Sequence, residues 1–139
     1  MPVTMRQLRQ REARIEVPYV TSTTLDRLLR DSSIPTLVSF QSPKFEVLVH
    51  SLELVATAFE GALHVACVNV LTNADLVTRF SIRLVPTLLF FKMGVPTEFI
   101  VGTVPLRFIL HMVCKVAGGR PNGSVCMARA SLGAFRRQP

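Results

Sequence analysis

Three cysteines, Cys67, Cys114 and Cys126, and three histidines, His50, His64 and His111, are the side chains of this 139-residue chain best equipped for nucleophilic, redox or metal chemistry. Their spacing argues against each. Disulfide exchange needs a thiolate, favoured at a helix N-terminus, and a second thiol to resolve the mixed disulfide. No two of these cysteines form a close pair. The histidines fall on separate segments, with no acid or second histidine at ligand spacing, so no metal site is expected. The serines lack the glycine elbow of a nucleophile, and no glycine-rich loop could cradle a phosphate. The expectation is therefore no catalytic residue, no cofactor and no small-molecule substrate. Cys67, inside an apolar run, reads as a small core residue. Cys114 falls one position past the inward face of a helix. Cys126 is the candidate exposed thiol, its thiolate favoured by nearby positive charge.

The segments that would position these groups follow from periodicity. A helix capped at Ser22 or Thr23 runs through Leu25, Leu28 and Leu29 to Asp31, before Pro35. Thr36 to Phe40 reads as a short buried strand. Phe45, Leu48, Leu52, Val55 and Phe59 recur at the spacing of one helix face and predict a helix packed on a sheet, stopping near Gly61. Leu63 to Val70 reads as a central strand, and Asn73 to Phe80 as a short helix with Asn73 as a cap. Pro86 opens a strand through Phe91, which Met93-Gly94 turns into Glu98 to Val101. Pro105, at a first helical position, starts a last helix with an inner face of Leu106, Ile109, Leu110 and Val113, ending at Gly118-Gly119.

Composition bounds the whole. The chain is 49% hydrophobic and 18% charged, which suits one compact domain. Its richest apolar stretch is interrupted by Lys92, Pro96 and Glu98, short of a membrane span. Few, scattered cysteines favour an intracellular, reducing compartment. Charge is uneven: residues 21–98 carry six Lys and Arg against seven Asp and Glu, residues 1–20 four against two, and residues 99–139 six against none. The net +7 thus comes from the two ends. Three regions are expected: a basic N-terminal arm over 1–20, a domain over 21–117 and a basic C-terminal tail over 118–139. The basic arms, through Arg6, Arg9, Arg11, Arg14, Arg120, Arg129, Arg136 and Arg137, would contact RNA or another anionic surface. With only Tyr19 and Phe135 among them, they lack the aromatic interleaving of single-strand readers. Glu12 and Glu16 make residues 6–14 a poor organelle-targeting peptide.

One stretch carries a resemblance. Phe80 to Gly94 reads FSIRLVPTLLFFKMG, and with Val38-Ser39-Phe40 before it and Val101-Gly102 after it, the order of pieces resembles the thioredoxin family over about 95 positions, roughly Thr21 to Ala117. The resemblance implies an α/β, thioredoxin-like fold: a mixed central sheet of about four to five strands flanked by helices on both faces, with basic N- and C-terminal extensions. It implies that Pro86 is cis and that Val85-Pro86-Thr87 lines a groove for extended peptides. The redox centre departs from the pattern. Where the family carries Trp-Cys-Gly-Pro-Cys, this chain reads Phe40-Gln41-Ser42-Pro43-Lys44-Phe45, about three residues shorter, with Ser42 nearest the first cysteine and Phe45 on the second. The buried aspartate is replaced by Ser39, and the lysine near it by Cys67.

These readings predict a redox-inactive thioredoxin-like protein, not an enzyme. Its expected role is an accessory subunit or adaptor among the protein subunits of a larger assembly, ribonucleoprotein or respiratory, anchored by its termini, with the mitochondrion as a candidate compartment. The alternatives are a peptide-binding or chaperone-like module built on the Pro86 groove, and a thiol oxidoreductase using a cysteine outside a CxxC pair.

Overall fold

The computed structural model describes residues 15–31, 33–44 and 48–117 of the chain. Among them the helix α1 (Ser22–Asp31) comes first. Its cap is Thr21, one residue earlier than expected: the Thr21 carbonyl accepts the Leu25 N–H at 2.8 Å and its hydroxyl accepts the Thr24 N–H at 3.5 Å. Four consecutive hydroxyl residues, Thr21 to Thr24, offer themselves as caps, and the position of the first helical bond selects one.

Strand β1 (Thr36–Gln41) is buried along its whole length. It pairs in parallel with β2 (His64–Asn69) and antiparallel with β3 (Thr87–Lys92), which pairs antiparallel with β4 (Val95–Val101). The sheet order is β2-β1-β3-β4, with β1 inside. The expectation of a central strand over Leu63–Val70 is thus corrected. Apolar content reports that both faces of β2 are covered, and says nothing of its neighbours. Its outer edge carries a single parallel bridge, Tyr19 to Cys67. There the Val20 N–H donates to the Cys67 carbonyl and the Cys67 N–H to the Pro18 carbonyl, both at 2.8 Å.

That bridge also corrects the boundary placed after residue 20. Ile15 and Val17 pack against the core, Val20 is buried, and the Ile15 N–H donates to Thr57 Oγ1 at 3.4 Å. Residues 15–20 form a strap on the domain, because the exposed edge of β2 offers unpaired backbone groups. The arginines at 6, 9, 11 and 14, the tail 118–139 with Cys126, and Phe45 lie outside the described residues.

Helix α2 (Val49–Ala58) buries Leu52 and Val55, with Leu48 and Phe59 just beyond its ends, on one sheet face. These side chains meet Leu37, Cys67, Leu88 and Phe90 from the sheet and Ile109 and Val113 from α4 (Leu106–Ala117). The opposite face holds Val38, Phe40, Val68, Leu89 and Phe91 under Leu25 and Leu29 of α1 and Leu76 of α3 (Ala74–Arg79). Phe80 joins that layer edge-on to Phe40 and Phe91, at centroid distances of 5.9 and 5.4 Å. Such contacts add to the burial of the rings. Asn73 precedes α3 but its side chain does not cap it; its Nδ2 donates to the Asn69 carbonyl at 2.9 Å and to Thr72 Oγ1 at 3.2 Å.

The β3–β4 hairpin turns through Met93 and Gly94, both in the left-handed region at φ +56° and +78°. That is the backbone of a two-residue primed turn. Strand β4 begins at Val95, earlier than the expected Glu98. Pro96 concealed this start in the sequence. It stands on an outer strand of the sheet, beside the register shift between Phe90 and Phe91, the settings in which sheets accept proline. Helix α4 is tied back to β4 by Lys115 Nζ and Glu98 Oε1, 2.9 Å apart.

Candidate protein-binding end of the sheet

The topology brings one end of every strand together. β1, β2 and β4 run toward this end, and β3 starts from it, so Gln41, Asn69, Thr87 and Val101 lie in neighbouring register positions. The residues predicted at the site divide between this end and the sheet interior.

Ser42 follows β1 directly and is buried, its hydroxyl accepting the Lys44 N–H at 3.3 Å in a tight turn. Pro43 and Lys44 project into solvent. The Gln41 carbonyl accepts the Val70 N–H at 3.1 Å, which anchors this turn to the loop after β2. Ser39, one alternation back along β1, is 0% exposed and donates to Gln41 Oε1 at 2.8 Å. Gln41 Nε2 in turn donates to the phenolic oxygen of Tyr19 at 2.9 Å. The place where a carboxylate would assist proton transfer thus holds a short neutral chain, Ser39 to Gln41 to Tyr19. Cys67 stands opposite Ser39 in the β1–β2 register and is fully buried in the core, as expected of a small apolar residue. Cys114 is half-buried on α4, and neither of these two cysteines is in a disulfide.

The Val85–Pro86 peptide bond is cis. The Pro86 carbonyl accepts the Gly102 N–H at 2.8 Å, and Thr87, buried, donates its hydroxyl to the Leu84 carbonyl. Val85-Pro86-Thr87 therefore lies alongside Val101-Gly102. Gly102 has φ +93°, open to glycine and strained for other residues. Large apolar side chains face water here: Leu71 is 66% exposed, Leu84 63% and Phe99 65%, with Val85 and Val101 partly so. Leu71 and Leu84 are on the connections at this end, and Phe99 is two residues back along β4 from Val101. Met93 and Val95, at the hairpin on the opposite end of β3 and β4, are exposed as well.

The histidines lie on α2, β2 and α4, and among the described residues no group of three or more His, Cys, Asp or Glu comes together. No described helix is long and apolar enough to cross a membrane. Sequence reasoning missed Gln41 and Tyr19 as partners. One signal was present: Ser39 and Gln41 are polar at alternate positions of an otherwise apolar strand, and so share a face.

A mixed sheet with helices on both faces and a cis-proline opening its third strand defines a thioredoxin-like α/β fold. The chain belongs to the thioredoxin family: the family model described as Thioredoxin matches residues 16–115. Among similar proteins, Thioredoxin 1 of Nostoc sp. is 33% identical over 89 residues, covering 62% of this chain and 83% of that protein. Thioredoxin 1 of Synechococcus elongatus is 32% identical over 99 residues, covering 69% and 92%. The structure of a single-residue mutant of thioredoxin from Halobacterium salinarum superposes with a TM-score of 0.68 at 25% identity, covering 78% of this chain and 98% of that one.

Proposed function

We propose that this chain is a redox-inactive thioredoxin-family protein that binds other proteins through the strand end around Ser42 and Pro86, as an accessory subunit or adaptor of a larger assembly. The observation that carries this reading is the turn itself. Where a thioredoxin presents its cysteines, Gln41-Ser42-Pro43-Lys44 presents a hydroxyl already engaged by the Lys44 N–H. An unactivated hydroxyl does not exchange with disulfides, which require a thiolate. Cys67 is sealed in the core, and Ser39, also buried, stands where the family pattern has a carboxylate. The binding half of the site persists in the cis-proline loop and the exposed Leu71, Leu84, Val85, Phe99 and Val101.

The basic termini would add electrostatic attachment to an anionic neighbour, RNA included. An intracellular, reducing compartment such as the mitochondrial interior suits a chain whose few cysteines are scattered.

The test combines activity with capture. The full-length chain should fail to reduce insulin disulfides, and tagged chain from native cells should co-purify with a stoichiometric set of proteins. Leu84→Asp should lose that set while melting at the wild-type temperature, since Leu84 is exposed. Turnover abolished by Cys67→Ser or Cys126→Ser would overturn the reading, as would an unchanged partner set for Leu84→Asp.

A further inference from the structure

The polar chain beneath the strand end reaches outside the sheet. Tyr19 belongs to the strap on the outer edge of β2, yet its phenol bonds to Gln41 on β1, so the side chain spans the width of β2. Gln41 is 1% exposed, and its amide is bonded on both sides: Ser39 Oγ donates to Oε1 and Nε2 donates to Tyr19. A buried amide bonded to a hydroxyl at each end is held in place, because moving it away strips both ends of their partners where no water can replace them. The next residue, Ser42, begins the exposed turn, and the Gln41 carbonyl holds the Val70 N–H of the neighbouring loop.

We infer that Tyr19 is a positioning residue: through Gln41 it couples the N-terminal strap to the Ser42-Pro43-Lys44 turn and the Val70 loop. The strap and the protein-binding end then form one cooperative unit, so that the strap's attachment to β2 and binding at that end each bias the other. This deepens the protein-binding reading and, for its functional consequence, rests on it. The phenol is well suited to the part, since Tyr19 is 46% exposed while its neighbour Val20 is buried, so the tyrosine meets both solvent and the packed sheet.

Amide hydrogen exchange on the full-length chain tests the coupling. Val20 and Cys67 report the strap, Val70 reports the end of β1, and Leu89, inside the sheet, reports global opening. Tyr19→Phe should speed exchange about fivefold at Val70, the order of one net hydrogen bond, with Leu89 unchanged. In a Gln41→Met background the same substitution should add nothing at Val70. Acceleration confined to Val20 and Cys67, or equal acceleration at Leu89, overturns the inference, as does an undiminished effect in the Gln41→Met background. Exchange is read on the chain alone. A wild-type chain that captures no partner would therefore sink the protein-binding reading while Val70 still decides the coupling.

Discussion

Ser39 and Cys67 face each other in register across β1 and β2, both at 0% exposure, at the two positions where a thioredoxin pattern would place an aspartate and a lysine. The two changes are coherent. A lone charge at either position would be desolvated without a partner, whereas a bonded hydroxyl opposite a thiol leaves no charge buried.

Restoring one charge should therefore harm the fold. Ser39→Asp is expected to lower stability by about 3 kcal/mol, read as a lower denaturant midpoint at unchanged slope. Ser39→Asp combined with Cys67→Lys should lose less than Ser39→Asp alone. Equal stability of Ser39→Asp and the wild type would contradict this account.

The hairpin offers a gain. Met93 holds φ +56° beside Gly94, a conformation that asparagine tolerates better than methionine. Met93→Asn should raise stability by about 0.5 kcal/mol, seen as a small rise in melting temperature. Gly94→Ala should lower it, because φ is +78° and a Cβ would stand 3.4 Å from the Leu29 carbonyl.

Helix α2 is held on the sheet by its buried face. Leu52, at 0% exposure in the core, should cost about 3 kcal/mol when replaced by alanine, and the loss is measurable by denaturant unfolding. Leu54, on the same helix and 40% exposed, should tolerate alanine with little change.

Two surface ion pairs among the described residues should matter far less. Arg79 with Asp26 at 2.7 Å and Lys115 with Glu98 at 2.9 Å are both largely solvent-exposed. Lys115→Ala or Arg79→Ala should shift stability by less than about 1 kcal/mol, the Arg79 variant also losing its contact over the Phe80 ring at 5.0 Å. A loss near that of Leu52→Ala would show that these pairs organise packing.

Residue types and local periods were legible in the chain. The helix face of Leu48, Leu52, Val55 and Phe59, the Met93-Gly94 turn and the Val85-Pro86-Thr87 element stand where the sequence puts them. That residue 42 is not a cysteine needed no structure, since Ser42 is a serine wherever it lies. Chain length and spacing did not say that β2 would flank β1, that residues 15–20 would close the edge of β2, or that Pro96 would sit within an outer strand. Nor did they join Tyr19 to Gln41, 22 positions away. Periodicity records which face of an element is buried, a local property of the side chains. Strand neighbours, edge closure and the partners of a buried amide are settled by backbone and side-chain groups distant in sequence, each of which must find a hydrogen-bond partner once water is excluded, and only the folded chain brings them within reach.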